Sequence, residues 1–125
     1  MMYGVGTDLV EVARIERILK KWRERFTLKV FSDEEIRYCR TKVCPARHFA
    51  ARFAAKEAFL KGLGMGMGRG VGFRDVEVIN SAEGKPALKL QERARDMVEK
   101  AGIRESHLSI SHTERYAMAV VALEK

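Results

Sequence analysis

The chain has only two cysteines, Cys39 and Cys44, in 125 residues. They stand five apart in a basic segment, a spacing that suits neither a metal site nor a disulfide framework, so reduced thiols in a cytosol are expected. Nowhere do about 18 apolar residues follow one another, which excludes a membrane-spanning helix. The opening "MMYGVGTDLVEV" lacks a basic stretch followed by an apolar signal core, and a soluble, cytoplasmic protein is expected. Aromatic residues make up 8%, and none interleaves with the basic stripe described below as a nucleic-acid stacking platform would require. Acidic residues are also in deficit, 17 against 24 Lys and Arg, for a formal net charge of +7. Such an excess speeds encounter with anionic partners, whether nucleic acid, an anionic membrane, a phosphorylated small molecule or an acidic protein, without choosing among them.

What is present suffices for one domain spanning 1–125, with 46% hydrophobic residues to supply a modest core. So small a chain has little interior in which to enclose a complete active site, which suggests a site shared between subunits. Residues 3–7, "YGVGT", read as a short buried strand and 9–26 as an amphipathic helix. In that helix Val12, Ile15, Leu19, Trp22 and Phe26 recur at steps of three or four, and Arg14, Arg17, Lys21 and Arg25 form a second, basic stripe. "SDEE" at 32–35 is a capping box that starts a short helix through Arg40. Cys44-Pro45 interrupts the chain, and a third helix runs over 46–63. Alternation predicts strands at 71–80 and 87–90 flanking a turn, then a helix over 91–102 closed by Gly102, and a β-hairpin over 107–124. The expected class is α+β with a mainly antiparallel sheet packed with helices.

Four groups of residues could carry chemistry. Asp8, with Glu11 three positions on, reads either as the cap of the first helix or as a divalent-metal ligand at a sheet edge. The second ligand would be Glu57, whose helical neighbour at i+4 is Lys61; the alternative for that couple is an exposed ion pair. Ala50 and Ala54 share their side of the helix and would admit a close neighbour. Arg52, Lys56 and Lys61 lead into "GLGMGMGRG", five glycines in nine residues including Gly64, where cations and free backbone N–H groups together would suit phosphate. The loop follows a helix rather than opening one, so neither a P-loop nor a dinucleotide fingerprint is present. In "SISHT", His112 reads as a turn histidine or as a phosphate contact; sequence adjacency to Ser111 does not make a nucleophile–base pair. His48 and His107 receive no role. The basic stripe is either a solvated face or a docking surface for an acidic partner.

These segments, "GVGTDLVEVARIE", "RFAAKEAFLKGLGMGMG", "GKP" and "LSISHTERYAMAVV", occur in an order that resembles the holo-acyl-carrier-protein synthase family of phosphopantetheinyl transferases over essentially the whole chain. The resemblance implies the phosphopantetheinyl transferase fold and magnesium-dependent transfer of 4′-phosphopantetheine from coenzyme A to a serine of apo acyl carrier protein, in fatty acid biosynthesis. It makes Asp8 and Glu57 the magnesium ligands, Lys61 a contact to the coenzyme phosphates, and Arg52, Gly64 and His112 neighbours of the coenzyme. Arg14, Lys21 and Arg25 become the surface that receives the acidic carrier, and a homotrimer with interface sites is implied. The general base is left open among Asp33, Glu34, Glu35, Glu57 and a metal-bound water. A basic nucleic-acid-binding module and a different magnesium-dependent phosphotransfer enzyme are the competing readings; the first would bind with steep salt dependence and the second would reject coenzyme A.

Overall fold

The computed structural model describes residues 1–65 and 70–125. Along the chain run β1 (Met2–Glu11), α1 (Val12–Trp22), α2 (Glu24–Val30), α3 (Asp33–Arg40), α4 (Pro45–Gly62), a 3-10 turn (Phe73–Asp75), β2 (Val76–Asn80), β3 (Pro86–Leu90), α5 (Glu92–Lys100), β4 (Glu105–His112) and β5 (Tyr116–Glu124). One sheet has the order β1-β5-β4 and a second pairs β2 with β3, every pairing being antiparallel. The α+β expectation therefore holds.

α4 is the centre of the core. Its alanines, Ala50, Ala51, Ala54, Ala55 and Ala58, are buried with Phe49, Phe59 and Leu60, so neighbours cover it on nearly every side. Strand β5 turns Ala117, Ala119, Val121 and Leu123 into the same core. Small residues at these positions bring the sheet close to the helix, and at β1 the approach is closest. A methyl group on Gly6 would lie 1.8 Å from the carbonyl oxygen of Ala58, and one on Gly4 would lie 2.2 Å from that of Gly62. Gly62 thus belongs to the packing as well as to the loop that follows it; Gly66 and Gly68 of that loop lie outside the described residues.

Three local expectations are corrected. β1 continues to Glu11, beyond the expected end at residue 7, because its whole length pairs with β5, Asp8 opposite Ala119 and Glu11 opposite Tyr116. Asp8 is therefore no helix cap, and Glu11, at the boundary, makes no side-chain cap hydrogen bond. The helix expected over 9–26 breaks at Arg23, whose φ of 46° leaves the helical region. The break leaves Trp22 exposed and turns Phe26 inward against Phe31 and Phe53, with ring centroids 5.7 and 6.2 Å apart. It also puts Arg25 on a different axis from Arg14 and Lys21. The strand expected over 71–80 begins only at Val76, since Phe73 is drawn into a 3-10 turn where its ring packs 5.7 Å from Phe53. Elsewhere the periodicities hold: the Ser32–Glu35 capping box is complete, and Gly102 takes a φ of 76° after α5. Both cysteines are free, Cys39 buried with its thiol pushed up to about 12 by desolvation.

Gly6→Ala must displace backbone rather than a side chain. It is expected to lower the unfolding free energy by about 3 kcal/mol, the upper end of overpacking costs, as read by urea denaturation.

Candidate active site

The Gly4–Gly6 approach determines what stands next along the two elements. Two residues beyond Gly6 on β1, Asp8 comes against the last turns of α4, where Lys61 Nζ donates to its Oδ1 and to the carbonyl of Thr7, both at 3.1 Å. An exposed ion pair with Glu57 was the alternative reading for Lys61; it spans instead to the strand, where a carbonyl and the Asp8 carboxylate lie together. The Asp8 side chain is 15% exposed and that of Lys61 54%. Half-buried Glu57 completes the group. Burial first, then the Asp8 carboxylate, raises its pKa above the usual glutamate range, opposed by the positive charges of Lys61 and Arg14. Tertiary structure thus joins Asp8, Glu57 and Lys61, and puts Arg14 of α1 within electrostatic reach of them.

Two carboxylates, with the pKa of Glu57 raised by burial and by the charge of Asp8, stand beside a half-exposed ammonium and make an oxygen donor set suited to a hard divalent cation that retains waters and takes further oxygens from phosphates. The donor chemistry therefore fits magnesium.

A second cluster surrounds the first half of α4. Arg52 is 5% exposed, its guanidinium lies 4.1 Å from the Tyr38 ring centroid, and its Nε has no hydrogen-bond partner among the described residues. His112, at the end of β4, sets its ring 5.4 Å from that of His48 in the first turns of α4. Desolvation, then the nearby charges of His112, Arg52, Lys42 and Arg47, lowers the pKa of His48. Sequence reasoning missed His48 and Tyr38. The i, i+4 spacing of His48 and Arg52 was a usable signal for the first; nothing local marked Tyr38. Gly64 is exposed with a φ of 79°, at the start of the glycine-rich stretch.

Other expectations fail on burial. Lys56 is no phosphate ligand: its side chain is fully buried, with Nζ donating to Glu35 Oε1 at 2.7 Å and to the carbonyls of Phe73 and Val76. Glu35, equally buried, is thereby removed from the candidates for general base. Asp33 pairs with Arg74 and Glu34 with Arg37 at the surface. Of the basic residues of α1, Arg17 pairs with Glu11 and Lys20 with Glu16, whereas no salt bridge among the described residues engages Arg14 or Lys21 of α1, or Arg25 of α2.

Partly open carboxylates beside a half-exposed ammonium near the end of α4, with a buried arginine and a pair of histidines along its first half, suit a transferase of phosphate-bearing groups. The profile of the 4'-phosphopantetheinyl transferase superfamily matches residues 4–121, and the chain belongs to that superfamily. It is 52% identical over 124 residues to holo-[acyl-carrier-protein] synthase of Syntrophus aciditrophicus, covering 99% of this chain and 97% of that one. The crystal structure of holo-[acyl-carrier-protein] synthase from Neisseria meningitidis superposes with a TM-score of 0.92 at 37% identity over the full length of both. That of the Helicobacter pylori synthase in complex with coenzyme A gives 0.85 at 32% identity, covering 96% of this chain and 99% of that one.

The raised pKa of Glu57 has a sign that stability can read. The folded chain holds the Glu57 proton to higher pH than the unfolded chain does, so this group's contribution is whole below the ordinary glutamate range and is lost as pH rises through the raised value. In metal-free protein, Glu57→Gln is expected to be more stable than the parent at about pH 7 and to lose that advantage towards about pH 4. Urea unfolding at both pH values checks this, and a pH-independent difference would contradict it.

Proposed function

We propose that the chain transfers 4′-phosphopantetheine from coenzyme A to a serine hydroxyl of apo acyl carrier protein, giving holo carrier protein and adenosine 3′,5′-bisphosphate, in the cytoplasm and in the service of fatty acid biosynthesis. The observation that carries this reading is the meeting of Asp8, Glu57 and Lys61 where β1 crosses α4. Asp8 and Glu57 would hold magnesium. Bound there, the ion would neutralise charge on the coenzyme pyrophosphate as the serine attacks. Lys61, half exposed and already directed at Asp8, supplies a positive charge for the leaving bisphosphate. Arg52, His112 and the backbone from Gly64 hold the nucleotide end, with the unpartnered Nε of Arg52 as the group most in need of an acceptor. Glu57 and a metal-bound water remain the groups placed to take the serine proton. For the rest, catalysis is positioning and electrostatics.

Docking of the carrier falls to Arg14 and Lys21 on α1, with Arg25 contributing from α2. Because Arg14 also acts on Glu57, an acidic helix held by these residues would deliver its serine beside the carboxylates. This arrangement accounts for Arg14, Lys21 and Arg25 having no salt-bridge partner among the described residues, whereas Arg17 of the same stripe pairs with Glu11.

The sheet face turned away from α4 supports a homotrimer. Register places Val5, Leu9, Tyr116 and Met118 on it, all exposed, with Val120 and Ala122 half-buried between them. A cluster of exposed apolar side chains on a small domain, interrupted here by Thr7, suits an association surface. Subunits joined there would share sites.

Two experiments test the reading. Intact mass of apo carrier incubated with the protein, coenzyme A and magnesium is expected to gain one phosphopantetheine, to gain none with chelator, and to gain it about 100-fold or more slowly with Asp8→Asn. Leu9→Glu is expected to shift the sedimentation coefficient to that of a monomer while leaving helix content unchanged. An unaltered coefficient would remove this face as the interface.

A further inference from the structure

The residue before Glu57 is a charge sealed in the core. The three donors of the Lys56 ammonium meet three acceptors: Glu35 Oε1 at 2.7 Å, the carbonyl of Phe73 at 2.9 Å and the carbonyl of Val76 at 2.6 Å. Glu35 in turn accepts the Ser32 N–H at Oε1 and the Val78 N–H at Oε2, each at 2.9 Å. Both side chains are fully buried. With every donor used, Lys56 has none left for a ligand. Together the two charges tie α3, α4, the 3-10 turn and β2 at one point.

Stability does not account for the pair. Taking two ions out of water costs about what their attraction returns, and apolar residues of similar volume often serve a core equally well. The pair does supply directionality, because an ammonium fixes the positions of its acceptors whereas apolar contact does not. Those acceptors, Phe73 and Val76, belong to the limb on which the chain returns from the glycine-rich stretch. Further along the same limb, Val78 and Asn80 line a cavity of about 270 Å3 together with Arg52, Tyr38, Glu35 and Lys89. Arg52 stands one helical turn before Lys56 on α4, so a single helix carries both the clamp on this limb and the guanidinium that faces the cavity.

We propose that Lys56 is a positioning residue for the transfer reaction: through Glu35 and the carbonyls of Phe73 and Val76 it fixes the return limb of the glycine-rich loop against α4, so that binding of coenzyme A depends on it and the chemical step does not. The proposal rests on the reading that the loop and Arg52 meet the coenzyme.

The test replaces the pair by an apolar couple, Lys56→Met with Glu35→Met, and measures transfer with coenzyme A varied at saturating carrier and magnesium, well below the melting temperature of each protein. The expected result is a rise of about tenfold in KM for coenzyme A, with kcat within about threefold of the parent and KM for the carrier unchanged. A parental KM, or a fall in kcat alone, would overturn the proposal. Should the double variant not fold, Glu35→Gln decides: it keeps volume and the Val78 acceptor but removes the charge that holds Lys56, and a rise of about threefold in the same KM is expected, no rise being the contrary outcome. Arg52→Ala in the same assay tests the underlying reading separately, since an unchanged KM there alongside a raised KM in the Lys56 variant retains the clamp and removes Arg52 from the nucleotide.

Discussion

The contact of β1 with α4 through Gly4, Gly6, Ala58 and Gly62 governs the rest of the molecule. Helix and strand backbones approach there to a distance that no side chain could occupy. That proximity requires glycine at two alternate strand positions and residues no larger than alanine on the facing helix surface. It also has a chemical consequence. With the backbones in contact, Asp8 two residues further along the strand comes beside the final turns of the helix, where Glu57 and Lys61 stand. A looser interface would leave the same three side chains apart.

Charge in this protein is divided by depth. Lys56 and Glu35 are sealed, fully hydrogen-bonded and unable to reach any ligand. Glu57 and Lys61, on a neighbouring face of the same helix, and Asp8 of β1 beside them remain partly open to water, and there burial and the Asp8 carboxylate raise the pKa of Glu57. Adjacent residues of one helix point roughly 100° apart. That rotation alone makes Lys56 part of the core and Glu57 part of the site, although "KE" reads locally as two equivalent surface charges.

Much of the secondary structure follows from local pattern. The capping box before α3, proline at the start of α4, the glycine after α5 and the alternation of β4 and β5 are short-range signals, and each element formed where its signal stands. The errors arose where long-range pairing or packing competed with local preference. Ladder bonds with β5 carried β1 through four residues that would suit a helix start. Burial of Phe26 and Phe73 broke one expected helix and shortened one expected strand. The candidate site was legible in part, because the i, i+4 spacing of Glu57 and Lys61 and the motif order pointed to it. His48 and Tyr38 escaped notice because their significance lies in facing His112 and Arg52 across the fold.

By itself the amino-acid sequence determined the class of fold, the order of the motifs and the positive charge that suits anionic partners. Those properties depend on composition, periodicity and spacing, all of which are carried along the chain. Only the tertiary structure decided that Asp8 faces Lys61, that Glu35 holds Lys56 in the core, and that Val5, Leu9, Tyr116 and Met118 share the outer face of the sheet. Each of these is a relation between residues 21 to 53 or more positions apart, produced when backbones pack, and no local pattern encodes which side of a helix meets which strand.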